Sequence, residues 1–547
     1  VHVVGSAITK RSSDERQLTH EVIDRVVRTV QTAPAPPVDE VISETLFQER
    51  TRLEHASTPR ADEDRAFYGR IRRRLPQAGR HELENLLREV VRHYAEEISG
   101  HFDPRVYVVA TRALPVGLGM LLHSLTPREV IRHVPDLPQL PGMADRLLFG
   151  GEVDKLRSLI GRGTVVLAPT HSSNLDSLLM GFAIYEMKLP PFTYGAGLNL
   201  FSNPLISFFM HNLGAYTVDR TKTDPLYRTT LKEYATISLE HGQHNLYFPG
   251  GTRSRSGGVE SHLKKGLLGT SVAAFRNNLV ARRPRPRIFV VPCTCSYPLV
   301  LEAETLIRDS LASEGKGRYI IMDDEFSRVR RWIEFLRGIL RLDLRVPVII
   351  GRPMDPFGNE VDAEGRSFDP HGREIDPARY LMANGEIADD PARDAEYTRL
   401  LAGRLVQTYH RDTVAMPTHV LAYAFLEMFR RQNPKLHLFR FLRSLDTDAS
   451  LPFMEVEREV ERLLVELGAL ADAGRIRLSD EVRKRDVAGL MTEALKAFST
   501  YHTKPVIEGR GSRLHVGDAE LIFYYRNRLD GLGLLGAPPL LPSRPNP

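Results

Sequence analysis

A chain of 547 residues is too long for one ordinary domain, and a hydrophobic share of 42% with a charged share of 26% belongs to a globular protein with a large core. The net charge of +5 is small for this length and no recognition motif stands out, which excludes a dedicated nucleic-acid binder. The two cysteines, Cys293 and Cys295, stand i, i+2 in an apolar run. They are too few for a disulfide framework or a metal site, and they fit a reducing, cytoplasmic compartment.

The basic charge is almost wholly arginine, 62 Arg against 12 Lys. Arginine holds planar oxyanions in a bidentate fork, which suits phosphates and anionic headgroups; codon usage gives the same excess. The start, Val1-His2-Val3-Val4-Gly5-Ser6, lacks the basic stretch and sustained apolar core of a secretory leader. No run reaches the 18 or more apolar residues of a spanning helix: Val106–Leu125 is broken by Arg112 and Pro115, and Leu178–Val218 by Glu186 and Lys188. Any membrane contact is expected to be peripheral.

In chain order, residues 1–145 read as a helical N-terminal region. The cluster Ala33-Pro34-Ala35-Pro36-Pro37 is a linker or stiff arm. Glu82–Ile98 puts Leu83, Leu86, Leu87, Val90, Val91 and Tyr94 on one helical face. From 146 to 358 strands alternate with helices, the pattern of an α/β domain with a mixed, largely parallel sheet flanked by helices. Strands are expected at Thr164–Ala168, Ala215–Val218, Asn245–Phe248, Arg287–Tyr297 and Val346–Ile350. Helices are expected after Asn174, near Leu226–Glu240, over Lys265–Arg276 and near Trp332. Residues 359–394, rich in Asp, Glu, Gly and Pro, read as a surface linker, and 395–547 as a helical C-terminal region ending in a Pro-rich, mobile tail.

Four segments carry chemistry. The first is His171-Ser172-Ser173-Asn174-Leu175-Asp176. Two residues i, i+5 on one helix are rotated about 140° apart, so the pair meets only if His171 sits in the turn before the helix and Asp176 in its first turns. The serines and Asn174 are N-cap candidates that favour this placement. Asp176 would then fix the imidazole, and its other nitrogen would take a proton from a hydroxyl. The plain alternative is a surface histidine and a helix-start aspartate. The second segment, Gly214–Arg220, ends in Arg220, an anion ligand or half of a solvated turn pair. The third, Phe248-Pro249-Gly250-Gly251-Thr252-Arg253-Ser254-Arg255, is a glycine turn with two arginines, followed by Lys264 and Lys265. It suits a phosphate, without the order of a nucleotide P-loop, and a bare turn is the alternative. The fourth, Val290–Cys295, is a strand with an internal Pro292, either site wall or structural punctuation.

Taken together, in this order and spacing, these segments resemble the glycerolipid acyltransferase family with the His-x4-Asp motif, across roughly Gly150–Pro353. Tyr94–Ile98, Phe102-Asp103-Pro104, Arg253-Ser254-Arg255 and Tyr524-Tyr525-Arg526-Asn527-Arg528 extend the likeness to the long bacterial glycerol-3-phosphate acyltransferases. The resemblance implies transfer of a fatty acyl group from acyl-CoA or acyl-carrier protein to glycerol 3-phosphate, in phospholipid biosynthesis. His171 would be the base and Asp176 its orienting partner. Arg220, Gly251, Thr252, Arg253, Arg255 and Lys265 would hold the acceptor phosphate, and Pro292 would shape the site wall. Amides at the start of the helix after His171 are candidates for the oxyanion. Direct attack of the hydroxyl on the thioester needs no metal or redox cofactor. The alternatives are lysophosphatidate or dihydroxyacetone phosphate as acceptor, or a non-catalytic membrane-surface protein that kept the fold. Gly250 departs from the family, which usually has Glu there.

An apolar product implies a membrane-surface partner and a cytoplasmic, peripheral location on the inner face of the cell membrane. The segment 328–341, with Trp332 and four arginines after Arg328, reads as an interfacial amphipathic helix or as a core helix with a solvated face. The sequence sets no oligomeric state.

Overall fold

The expected strand at Thr164 lies at the centre of a sheet. In a computed structural model that describes residues 2–54, 56, 59–107, 146–198, 212–314, 345–500 and 502–540, seven strands form one mixed sheet. They are β1 (Leu147–Gly151), β2 (Thr164–Pro169), β3 (Thr193–Gly197), β4 (Ala215–Val218), β5 (Asn245–Leu246), β6 (Ile288–Cys295) and β7 (Val346–Ile350). Their order is β1-β7-β6-β2-β5-β3-β4. Neighbours run parallel except β6 and β7, so β2 to β6 share one direction. Every residue of β2, β6 and β7 is buried, as a strand covered on both faces must be, which is why these runs are continuously apolar.

Side chains alternate between two cores. Val165, Leu167, Val291 and Cys293 join one hydrophobic cluster; Val166, Ala168, Ile288 and Val290 join another on the opposite face. The first face is covered by α6 (Leu175–Glu186), which follows α5 (Val153–Ile160). The second is covered by α8 (Lys265–Leu268) and α9 (Thr270–Val280). The helix expected over Lys265–Arg276 is therefore two, meeting at Gly269. On the β4 side, α7 (Pro225–Glu240) receives the N-terminal helices α1 (His2–Thr32), α2 (Val38–Leu53), α3 (Pro59–Arg74) and α4 (Arg80–Ile98) in a third cluster. The proline cluster joins α1 to α2, and the apolar face expected on α4 is buried, with Leu83 half-buried at its edge.

Beyond α10 (Ala303–Glu314) and β7, the 359–394 segment is not structureless. Glu360–Val361, Ser367–Phe368 and Glu374–Ile375 pair as a small antiparallel sheet, held by Asx turns at Asp362 and Asp369. Such turns have no hydrophobic period to betray them. The longer C-terminal helices are α11 (Pro391–Asp412), α12 (Pro417–Gln432), α13 (Leu438–Ser444), α14 (Phe453–Asp472), α15 (Val487–Phe498) and α16 (Ala519–Arg526). Helix α12 is buried nearly all round, and its residues belong to the same cluster as β2 and α6. Helix α11 closes the opposite face through Leu401, Leu405 and Tyr409. The segment 328–341 lies outside the described residues. Among the described residues, no helix is long and apolar enough to cross a membrane.

Candidate active site

Because β2, β4, β5 and β6 run the same way, the loops that follow them leave one edge of the sheet, where open α/β sheets form their clefts. His171 follows β2, Arg220 follows β4, Phe248–Arg255 follows β5, and Tyr297 and Glu302 follow β6.

His171 lies in the turn before α6 and Asp176 is the second residue of the helix. His171 Nδ1 lies 2.9 Å from Asp176 Oδ2. The same oxygen accepts the amides of Ser172 (2.6 Å) and Ser173 (2.8 Å), and Oδ1 accepts the Tyr297 hydroxyl. Asp176 is fully buried, and this donor set allows a carboxylate to sit there. Paired with it, Nδ1 carries the proton and Nε2 is the acceptor; Nε2 makes no hydrogen bond to the described residues. The ring stacks on Phe248, with centroids 4.2 Å apart. Burial lowers the His171 pKa below the ordinary imidazole value; Asp176 opposes this, and Arg253 and Arg220 reinforce it. At neutral pH the ring is therefore neutral, the state a base requires.

The arginines fall into two kinds. Arg220 is exposed and makes no ion pair with the described residues. Arg253 is largely buried, 3.3 Å from Glu302, which also accepts the Ser173 hydroxyl (2.8 Å) and the Asn174 amide (2.9 Å). Arg255 is turned toward Asp309, at 3.6 Å. Gly251 has φ +75°, which a side chain would resist, and its amide closes the turn on Phe248 O at 3.0 Å. Thr252 is exposed beside it.

Two expected site residues are not gathered here. Lys265 is exposed at the start of α8, and its acidic neighbour is Glu396 of α11. Pro292 pairs in register with Ala168 in the sheet; a Cβ on Gly351 would meet its ring at 2.8 Å, and the side chains of Thr408 and Asp412 close on the same point. It therefore shapes the sheet beneath α11 rather than the wall beside His171. The expected oxyanion amides are also occupied: those of Ser172 and Ser173 by Asp176, that of Asn174 by Glu302, and that of Leu175 by Ser173 Oγ at 3.2 Å.

Two residues to which the sequence assigned no site role complete the surroundings. Glu260 Oε1 accepts the His171 amide at 2.5 Å. Burial pushes its carboxyl up to about 8, against the pull of that amide. Arg528, from the C-terminal region, is buried, donates to Ser172 Oγ at 3.2 Å, and makes no ion pair among the described residues. Nearby, a Cβ on Gly257 would strike the backbone of Tyr524, so α16 can approach the arginine loop only because position 257 is glycine.

Comparison with known proteins places this edge. Residues 151–296 match the Acyltransferase family model. Over this segment the chain is similar to acyltransferase-family domains. Curated relatives carry the name glycerol-3-phosphate acyltransferase. One from Aeromonas hydrophila is 34% identical over 154 residues, 28% of this chain and 18% of that protein. One from Histophilus somni is 33% identical over 158 residues, covering 28% and 19%. One from Pasteurella multocida is 34% identical over 158 residues, again 28% and 19%. The alignments thus span less than a fifth of those relatives' own length. The family-model match, residues 151–296, contains His171, Asp176, Arg220 and Arg253.

Proposed function

We propose that this protein transfers a fatty acyl group from acyl-CoA or acyl-carrier protein to the hydroxyl of glycerol 3-phosphate. The observation that carries the reading is one imidazole whose Nδ1 is tied to a buried carboxylate, whose Nε2 makes no hydrogen bond to the described residues, and whose ring lies in the field of two arginines. His171 Nε2 removes the proton from the acceptor hydroxyl as its oxygen attacks the thioester carbonyl. Asp176 holds the ring and balances the imidazolium. The C–O bond forms, the C–S bond breaks, and the departing thiolate recovers the proton from His171. Charge and atoms balance with no acyl-enzyme and no redox step.

Arg220 and Arg253 hold the acceptor phosphate, with Arg255 at the outer edge. The names of the relatives support glycerol 3-phosphate as acceptor. An acylated product partitions into lipid, so the enzyme works at a membrane surface, bound peripherally on the inner face of the cell membrane, in phospholipid synthesis.

The test supplies purified protein with palmitoyl-CoA and, separately, glycerol 3-phosphate, dihydroxyacetone phosphate and lysophosphatidate, and identifies products by mass. Acylated glycerol 3-phosphate as the main product supports the reading. Turnover of lysophosphatidate or dihydroxyacetone phosphate alone would reassign the acceptor, and no transfer to any of the three would remove the activity.

A further inference from the structure

The segment after β5 grips His171 at three points. The Phe248 ring stacks on the imidazole, the Ser254 amide donates to the His171 carbonyl at 2.8 Å, and Glu260 Oε1 receives the His171 amide. Both backbone groups of the residue are thus held by one loop, which Lys264 N closes on Pro249 O at 2.7 Å. Glu260 is an unusual choice for the third grip. Its Oε2 is buried without a hydrogen-bond partner, whereas Asp176, on the other side of the histidine, takes four donors. A buried carboxyl group with a single hydrogen bond is costly unless its place is needed.

That place lies against Gly250. A Cβ built there would stand 2.7 Å from Glu260 Cδ and 3.1 Å from Oε1, with Oε2 closer still. Any side chain at 250 would evict the carboxylate. Within a glutamate, Cβ and Cδ are about 2.5 Å apart, from two C–C bonds at an ordinary angle. A glutamate grown from 250 can therefore put its own carboxyl where that of Glu260 now sits.

We propose that Glu260 is a positioning residue for His171, holding the backbone that carries the imidazole, and that position 250 is glycine to make room for it. The proposal rests on the acyl-transfer reading of the same site. Its test compares Glu260→Ala, Glu260→Gln and the double variant Gly250→Glu/Glu260→Ala. Turnover and acceptor KM are measured with palmitoyl-CoA and glycerol 3-phosphate. The downfield resonance of the His171 Nδ1 proton is followed in histidine-labelled protein, and thermal melts show that each variant is folded.

Glu260→Ala should lower kcat by about 10- to 100-fold, the scale of a small misplacement of a catalytic group, with little change in acceptor KM, and should shift the resonance. Glu260→Gln, which keeps an acceptor for the amide, should stay near wild type in both. The double variant should recover most of the lost kcat and return the resonance. The resonance is read with or without turnover, so absence of acyl transfer in the wild type would defeat the functional reading while the positioning claim is still decided. Wild-type kcat and an unmoved resonance in Glu260→Ala would overturn the proposal. So would a folded double variant no better than Glu260→Ala, or a loss confined to acceptor KM, which would make Glu260 a ligand of the acceptor instead.

Discussion

The N-terminal helices meet the α/β domain on α7, while the C-terminal helices share the core of the sheet itself and reach the loops around His171. On the N-terminal side the joint is a buried polar knot. Lys222 Nζ lies 2.5 Å from Glu97, the Tyr94 hydroxyl donates to Asp224 at 2.8 Å and to Glu49 at 3.0 Å, and Arg25 forks onto Glu240 at 2.6 and 2.8 Å. On the C-terminal side, Arg528 donates to Ser172, Asn527 to Ser256 O at 2.9 Å, and the Tyr409 hydroxyl to Ala168 O at 2.8 Å. Two flanks with the same helical texture therefore do different work. The first is fastened to the domain; the second completes the walls of its cleft.

Substitutions can break this contrast. Glu97→Gln leaves Lys222, only 1% exposed at its side chain, without its main partner. Removing one member of a buried pair costs about 3 kcal/mol or more, measured by denaturant unfolding, with turnover per folded molecule unchanged. Arg528→Met should show the reverse pattern. Replacing a buried charge that has no ion pair by an apolar side chain of similar volume is neutral or stabilising, while loss of the support to Ser172, next to His171, lowers turnover by up to about 100-fold. If Glu97→Gln abolished turnover at full stability, or Arg528→Met unfolded the protein, the contrast between the flanks would fail.

Smaller effects come from pH. With His171 as the proposed base, the rate should fall on the acid side, with a midpoint below the ordinary imidazole pKa of 6.5. Arg253→Ala removes a positive neighbour and should move that midpoint upward, read from kcat/KM against pH. Glu260 gives its signal in stability. Its carboxyl is raised from 4.5 to about 8, with Asp176 raising it and Arg528 opposing, so the folded state holds a proton that the unfolded chain has released. The stability this contributes is full below about 4.5 and is lost as pH rises through about 8. Between these values wild type should lose melting temperature relative to Glu260→Gln. Parallel melting curves would contradict the assignment.

Much of this was legible in the sequence, and the exceptions have physical causes. β4 and β7 fall on the expected residues and β2 within one, because apolar β-branched runs in a buried sheet leave little ambiguity. β1 and β3 carry no such signal. Leu147–Gly151 and Thr193–Gly197 carry two glycines each, and a Cβ on Gly195 would collide with the Tyr216 ring. Packing, not propensity, sets these strands. At the site, the His171–Asp176 contact follows from turn and helix geometry. Glu260 and Arg528 do not, since each reaches His171 or Ser172 through a fold-level approach 89 and 356 residues along the chain. The amides before α6 look free in a sequence, but Asp176 and Glu302 take them. One sign of Glu260 was present: a glycine where the resemblance calls for glutamate is a place where something else fills the space.

The most direct test of the central claim compares wild type with His171→Ala, using palmitoyl-CoA and glycerol 3-phosphate, with product identified by mass and folding checked by thermal melt. Wild type should yield acylated glycerol 3-phosphate, and the variant should lose roughly 10²- to 10⁴-fold in turnover. A folded His171→Ala protein that keeps near-full acyl transfer would contradict the claim.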